Sequence, residues 1–248
     1  MKRLSFDTKE NISSLIKNGK SLGEICTLLN LNKTTVYYYI KKIRGRKINP
    51  VVLNLSDSEV IGEFMGVFAG DGYYFYDKKR YKGKIRITFN RKEEKLVNYY
   101  AYAISKIISK KPRLYYLSNI IILEITCKEL SNLLKEYLMW EEGNKTYTIG
   151  LSLNKKSLSK KFIKGFVRGL IDSDGYVRKD RLEIYFGTTS TNLLNDIKKG
   201  FDTFKIDYKV YKQQRDNRED FYKLRISGEE VLKCCNIFKP LKADGLMV

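Results

Sequence analysis

From residue 63 onward the apolar positions alternate between two spacings, and they do so twice in the same order. EFMGVFAGDGYYF (63–75) is an apolar helical run that closes on Asp71-Gly72-Tyr73. KIRITFN (84–90) then alternates apolar with polar, as a half-buried strand does. EEKLVNYYAYAISKII (93–108) returns to helical spacing, RLYYL (113–117) and IIILEIT (120–126) read as strands, and ELSNLLKEYL (129–138) as a short helix. The same succession follows in FVRGLIDSDGYVR (166–178), RLEIYFG (181–187), NLLNDIKKGFDTF (192–204), KVYKQQ (209–214), FYKLRIS (221–227) and EEVLKCCNIF (229–238). The pattern predicts an α+β fold of two pseudo-twofold αββαββα repeats, with Asp71 and Asp174 at equivalent positions 103 residues apart.

Ahead of the repeats, SLGEICTLLNLNKTTVYYYIKKIRGRK (21–47) reads as two short helices with a turn at Asn30-Leu31-Asn32. The arrangement resembles a helix-turn-helix, whose second helix presents its N-terminal residues to the major groove. Lys33, Thr34, Thr35, Tyr38, Lys41, Lys42, Arg44 and Arg46 are then the candidate DNA contacts. Packing residues and a solvated lysine face would show the same pattern. The expected organisation is an all-α module over 1–47, a linker over 48–55, a first half over 56–140, an inter-half linker over 141–158 and a second half over 159–248. Pro50 blocks continuation of the module's last helix.

Small residues recur on one face of each motif helix: Gly62, Gly66 and Gly70 in the first, Gly165, Gly169 and Ser173 in the second. A glycine inside a helix costs about 1 kcal/mol against alanine. Close packing of the two helices along these stripes offsets that cost and brings Asp71 and Asp174 together at their C-terminal ends. Carboxylates there are unfavourable alone, because helix C-termini already carry partial negative charge. A hard divalent cation reverses the penalty, and clustered carboxylate and carbonyl oxygens suit Mg²⁺. An Asp-Gly pair is also an ordinary turn; its recurrence at equivalent repeat positions favours the metal.

Charge sharpens this picture. The 248-residue chain carries 48 Lys+Arg against 28 Asp+Glu, a net charge of +20, while 43% hydrophobic residues suffice for a core. Such an excess points to a polyanion, nucleic acid above all. There is no histidine, which removes Ser-His-Asp triads, Cys-His nucleophiles and histidine-ligated metals. The four cysteines lack C-x-x-C spacing, no apolar run has transmembrane length, and MKRLSFDTKE has no apolar signal core. An intracellular, reduced, membrane-free protein is expected, cytoplasmic in a prokaryote or in an organellar matrix.

GLIDSDG, and more loosely GVFAGDG, resemble the motif of the LAGLIDADG homing endonucleases in their single-chain, pseudo-symmetric form, over about residues 55–240. The resemblance implies that Asp71 and Asp174 bind metal, joined by the backbone carbonyls of Gly70 and Ser173. Ala69 stands where the first acidic residue of the motif belongs; its counterpart Asp172 is the one usually structural in the family. The resemblance further implies two saddle-shaped sheets in the DNA major groove. The alternation then puts Lys84, Arg86 and Thr88 on the reading face and Ile85, Ile87 and Phe89 on the core face. Arg178, Arg181, Glu183 and Tyr185, with Lys209, Tyr211, Gln213 and Arg215, are the candidates in the second half. For the basic groups that support catalysis, Arg91 and Lys128 fit in the first half. Thr188 and Glu229 occupy those places in the second, with Lys223 as a substitute and unequal cutting of the two strands as the consequence.

The implied activity is Mg²⁺-dependent cleavage of double-stranded DNA by a monomer using two or more ions, Mn²⁺ substituting, with short 3′ overhangs. The absence of histidine and the closing residues GLMV argue against a protein-splicing intein and for a free-standing or intron-encoded enzyme. A catalytically inactive transcription regulator on the same scaffold and a maturase that binds intron RNA are the rival readings.

Overall fold

In the computed structural model, which describes residues 4–44, 51–77, 82–152, 158–216 and 219–246, the chain divides after Pro50. The first unit contains α1 (Phe6–Lys17), α2 (Leu22–Leu29) and α3 (Lys33–Arg44). Ile12, Ile16, Ile25 and Val36 are its buried centre. Ser21 and Glu24 cap α2 reciprocally, and Asn30 ends it in the left-handed region at φ 48°. The sequence reading had two helices here. The third, α1, was signalled by Ser5, which caps Thr8 N–H, and by the Ile12/Ile16 spacing.

The second unit begins with α4 (Ser58–Asp71), β1 (Gly72–Asp77), β2 (Lys82–Asn90), α5 (Glu94–Ile108), β3 (Arg113–Tyr116), β4 (Ile120–Ile125) and α6 (Lys128–Tyr137). A connecting stretch carries β5 (Leu138–Met139), α7 (Lys145–Thr148) and β6 (Gly150–Leu151). Then come α8 (Lys160–Ser173), β7 (Gly175–Arg178), β8 (Glu183–Thr188), α9 (Thr191–Thr203), β9 (Lys209–Gln213), β10 (Phe221–Ser227) and α10 (Glu229–Phe238). Among the described residues β5 and β6 pair as a two-stranded antiparallel ribbon, and the other strands form two antiparallel sheets of identical order, β1-β2-β4-β3 and β7-β8-β10-β9. Gly72 lies opposite Ile87 in the first, and Gly175 opposite Phe186 in the second. The period-two pattern is obeyed: Ile85, Ile87 and Phe89 are buried while Lys84, Arg86 and Thr88 face outward.

The motif helices α4 and α8 are the spine. Asp57 caps α4 by accepting from the Glu59 and Val60 amides, and Ser159 caps α8 through Phe162 N–H. Their N-termini meet where the Ser58 and Ser159 hydroxyls lie 3.0 Å apart. Along the seam there is no room for side chains. A Cβ on Gly62 would stand 2.1 Å from the Phe162 carbonyl, one on Gly66 2.2 Å from that of Phe166, and one on Gly165 2.0 Å from that of Glu59. Phe64, Phe68, Phe166 and Leu170 turn away from the seam into a continuous core shared with both sheets; each such side chain contributes about 1.5–3 kcal/mol of burial. A charged pair crosses the same interface: Arg168 Nη1 donates to buried Glu63 at 2.8 Å, and Tyr99 donates to the other Glu63 oxygen at 2.7 Å.

The stretch after α6 departs from the expected linker. Its residues through Ser152 are ordered against α9: Ser190 Oγ donates to Ile149 O at 2.6 Å and Leu151 N–H to Asp196 at 2.6 Å. Residues 153–157 lie outside the described residues, as does most of the basic linker, including Arg46 and the side chain of Arg44. No helix among the described residues is long and apolar enough to cross a membrane.

Candidate active site and nucleic-acid interface

Close approach of the seam glycines brings the ends of α4 and α8 together. Asp71 is the last residue of α4 and Asp174 the C-cap of α8. The two are close enough for the Asp174 charge to act on Asp71, and the Asp174 carboxyl carbon lies 3.1 Å from where a Cβ on Gly70 would be. Both carboxylates reach solvent. Even so, crowding by the helix ends desolvates Asp71 and, with the charge of Asp174, pushes its carboxyl up to about 6. Burial likewise raises Asp174, against the pull of Lys145 and Lys242.

Those two lysines are the residues that sequence reasoning missed. Lys145 Nζ donates to the carbonyls of Ala69 and Gly70, each at 2.8 Å. Lys242 Nζ donates to Ser173 O at 2.5 Å and Gly175 O at 3.2 Å, and lies 3.6 Å from Glu93. Each lysine follows the last helix of its half and returns to the C-terminus of that half's own motif helix, where a cation complements the exposed carbonyls. Lys145 is desolvated enough to fall to about 8. The repeat alignment hid the pair because Lys145 comes eight residues after α6 and Lys242 four after α10. A lone lysine behind a turn (Gly143-Asn144, Pro240) was the available signal.

Asp172 does the structural work its motif position implies. It is 1% exposed, accepts from Tyr100 Oη at 3.1 Å and takes the Lys242 backbone N–H at 3.1 Å. It thereby fixes the turn that carries the Lys242 ammonium. Burial raises its carboxyl to about 6.

The expected supporting bases are placed otherwise. Lys128 is the exposed first residue of α6. Strand register puts the Asp71 end of the sheet at Ile87 and Leu123, and Lys128 follows the opposite end of β4, which closes at Ile125. β4 thus carries it away from the carboxylates rather than towards them. Arg91 stands at the near end of β2, but its Nη1 is engaged by the carbonyls of Leu117 and Ser118 at 3.1 and 3.3 Å. It clamps the β3–β4 turn. Lys223 shares a cleft of about 550 Å³ with Asp174, Arg178, Tyr185 and Gln213, its ammonium 4.1 Å from the Tyr185 ring centre.

The outward sheet faces are basic and aromatic. Arg86 lies 4.9 Å from the Phe75 ring centre, and Arg215 4.3 Å from that of Phe221. Lys209, Tyr211 and Gln213 are exposed along β9. Arg181 falls in the turn before β8 rather than in a strand, pairing with Asp180 at 3.8 Å. Acidic side chains interrupt the face: Glu124 holds Arg86 at 2.7 Å, and Glu183 holds Arg225. In the N-terminal unit Lys33, Thr34, Tyr38, Lys41 and Lys42 are exposed and Thr35 is half-buried.

The hard oxygens open to a cation are those of the two carboxylates; the expected carbonyl ligands, Gly70 O and Ser173 O, are instead taken by the Lys145 and Lys242 ammonium groups. Among the described residues no third carboxylate or thiolate joins the pair. Such a sparse oxygen set suits a hard divalent cation that retains several waters.

Residues 161–238 match the family model of a LAGLIDADG-like domain. Solved structures with a similar fold include mesophilic variants of the homing endonuclease I-DmoI, with TM-score 0.56 and 16% identity over 73% of this chain and 96% of that one. Another is I-DmoI in complex with DNA and Mn, with TM-score 0.54 and 15% identity over 74% and 97%. A curated relative is a glutamine–fructose-6-phosphate aminotransferase from Methanocaldococcus jannaschii, 24% identical over 217 residues. The match covers 84% of this chain but only 18% of that protein.

Proposed function

Given a chain that has the LAGLIDADG fold and whose second half matches the LAGLIDADG-like family model, we propose that it is a site-specific, divalent-metal-dependent DNA endonuclease. The observation that carries this reading is the pair of desolvated carboxylates, Asp71 and Asp174, at adjoining helix ends, each half supplying its own carbonyl-bound lysine. Asp71 and Asp174 would hold Mg²⁺, two or more ions, with Mn²⁺ able to substitute; the Gly70 and Ser173 carbonyls would join them only where Lys145 and Lys242 release them. When bound, such ions supply Lewis acidity that activates water and stabilises a departing 3′ oxygen.

The chain's own residues do the rest. The two sheets bind the duplex on either side of the carboxylates, and their arginines and lysines supply affinity for phosphate. Lys145 and Lys242 keep positive charge beside the scissile groups, where it favours the anionic transition state. Asp172 and Tyr100 hold the Lys242 turn in place. The N-terminal unit acts as a helix-turn-helix, adding contacts outside the cut site. By analogy with the family, the products carry 5′-phosphates and short 3′ overhangs.

The test is selection of cleaved sites from a random duplex library with Mg²⁺, followed by Asp71→Asn and Asp174→Asn on the selected site. Each variant is expected to abolish cutting and leave binding largely intact. A wild-type protein that binds its site yet never nicks it with Mg²⁺ or Mn²⁺ is a regulator instead. Specific binding to intron RNA in place of duplex DNA identifies a maturase.

A further inference from the structure

The two sheet faces carry opposite charges at matching positions. Register aligns Gly72 with Ile87 and Leu123 in the first sheet, and Gly175 with Phe186 and Leu224 in the second. Counting from those anchors, Lys84 corresponds to Glu183, Arg86 to Tyr185 and Glu124 to Arg225. Each half therefore has one acid and one base on the same diagonal of its middle strands. In the first half the acid is on β4; in the second it is on β8.

An acid on a face that meets a polyanion repels its ligand unless a cation covers it. Both acids here are covered. Glu124 is 5% exposed, accepts from Arg86 Nε at 2.7 Å and has Lys84 Nζ at 3.9 Å. Glu183 is 7% exposed, accepts from Arg225 and from Tyr185 Oη at 2.6 Å. The guanidinium groups stay accessible: the Arg86 side chain is 40% exposed and that of Arg225 35%. A carboxylate beneath an arginine fixes the plane of its fork while leaving other N–H groups directed outward. A fork fixed in that way suits the paired O6 and N7 acceptors of guanine, whereas a mobile arginine serves a phosphate equally well.

Taking the DNA-binding role of the sheets proposed above as its basis, we infer that Arg86 and Arg225, each aimed by its buried glutamate, are guanine-reading residues of a target whose half-sites are not symmetry mates. Arg86 sits on β2 and Arg225 on β10, the strand equivalent to β4. The two forks are thus displaced by one strand, about 4.8 Å, against about 3.4 Å between stacked base pairs. Each half-site carries one guanine, at unequal distances from the centre of the cut, and neither guanine has a dyad-related partner.

The experiment is sequencing of duplexes retained from a randomised library by the wild-type chain and by Arg86→Lys, Arg225→Lys, Glu124→Gln and Glu183→Gln. The lysine variants keep the charge and neutralise the buried glutamates, so folding is preserved. The wild type is expected to select two guanines at unequal offsets. Arg86→Lys and Glu124→Gln should each relax the same one by roughly tenfold or more, with Arg225→Lys and Glu183→Gln relaxing the other. The glutamine variants separate aimed readout from simple attraction, since they remove no cation. Unchanged preferences in all four, or a uniform loss over all sequences, overturn the inference in favour of phosphate contacts. Duplex binding without base preference overturns it while leaving the DNA-binding role intact. Failure to bind any duplex removes both.

Discussion

Gly66 and Gly70 lie one turn apart on α4, yet an added methyl group meets different obstacles at each. At Gly66 it would be 2.2 Å from the Phe166 carbonyl and 3.0 Å from the Gly169 Cα, both backbone. Only separation of the helices relieves that. At Gly70 the neighbours are the Ser173 side chain, with Oγ at 2.2 Å, and the Asp174 carboxyl carbon at 3.1 Å. Gly66→Ala is expected to destabilise by about 3 kcal/mol. Gly70→Ala should cost less in urea denaturation but reduce cleavage more, because what must yield there is the Ser173 side chain and, next to it, the Asp174 carboxylate. Equal losses of stability from both would show that the seam widens uniformly. The lysines give a second contrast at this scale. Lys145 and Lys242 each serve the motif helix of their own half, so Lys145→Met and Lys242→Met should each slow one strand's cleavage, by on the order of 100-fold. Nicked plasmid should therefore accumulate with either single variant. If both variants slow nicking and linearisation in parallel, the lysines act jointly on both strands.

The connecting stretch from β5 to β6 shows at the scale of elements why the repeats were easy to read and the site only partly so. Helices and strands that bury one face carry the spacing of that face, as Ile85, Ile87 and Phe89 do in β2. The glycine stripes were readable for the same reason, since a close seam has to remove side chains at every fourth position. Two-residue strands and a four-residue helix bury too little to have a period, so β5, α7 and β6 left no trace. Lys145 was lost with them. Lys128 was chosen as the lysine near the end of the fourth strand, and the direction of that strand, which leads away from Asp71, is not written in the spacing. What holds the stretch is partly one carboxylate: Asp196 accepts from Leu151 N–H at 2.6 Å, and burial raises it to about 6. A raised carboxyl means that the folded protein binds more protons than the unfolded chain between about pH 4 and 6. Its contribution to stability accordingly declines as pH rises through that window and is level above it. Asp196→Asn keeps an acceptor for Leu151 and removes the ionisation cost. It should raise stability at pH 7.5 by on the order of 2 kcal/mol and change it little at pH 4. Asp71 and Asp172, raised in the same direction, keep some of the slope. A variant less stable than wild type at pH 7.5 in urea melts would show that the charge strengthens the Leu151 bond more than burial opposes it.

For the whole molecule, the question is how a net charge of +20 is divided between two units with separate cores. The N-terminal unit closes around Ile12, Ile16, Ile25 and Val36, and residues 51–248 close around the seam and sheets. Among the described residues neither core contains a residue of the other, so a chain beginning at Val51 keeps the buried residues around the motif helices and the carboxylate pair. Its fold and cleavage chemistry should survive removal of residues 1–50. Binding strength should not. Cations that neutralise phosphates release counterions, so the dependence of affinity on salt counts the phosphates contacted, with a slope of about −0.9 per phosphate. Lys33, Lys41 and Lys42 are exposed on α3; if two or three of them reach the backbone, deletion should make the slope of log K against log salt shallower by about 2 to 3. Affinity should fall at low salt and converge with that of the full chain at high salt, while the single-turnover cleavage rate at saturating enzyme is unchanged. A truncated protein with the full salt slope would mean that these lysines are only a solvated face. One that binds normally but cuts slowly would tie the N-terminal unit to positioning of the cut rather than to affinity.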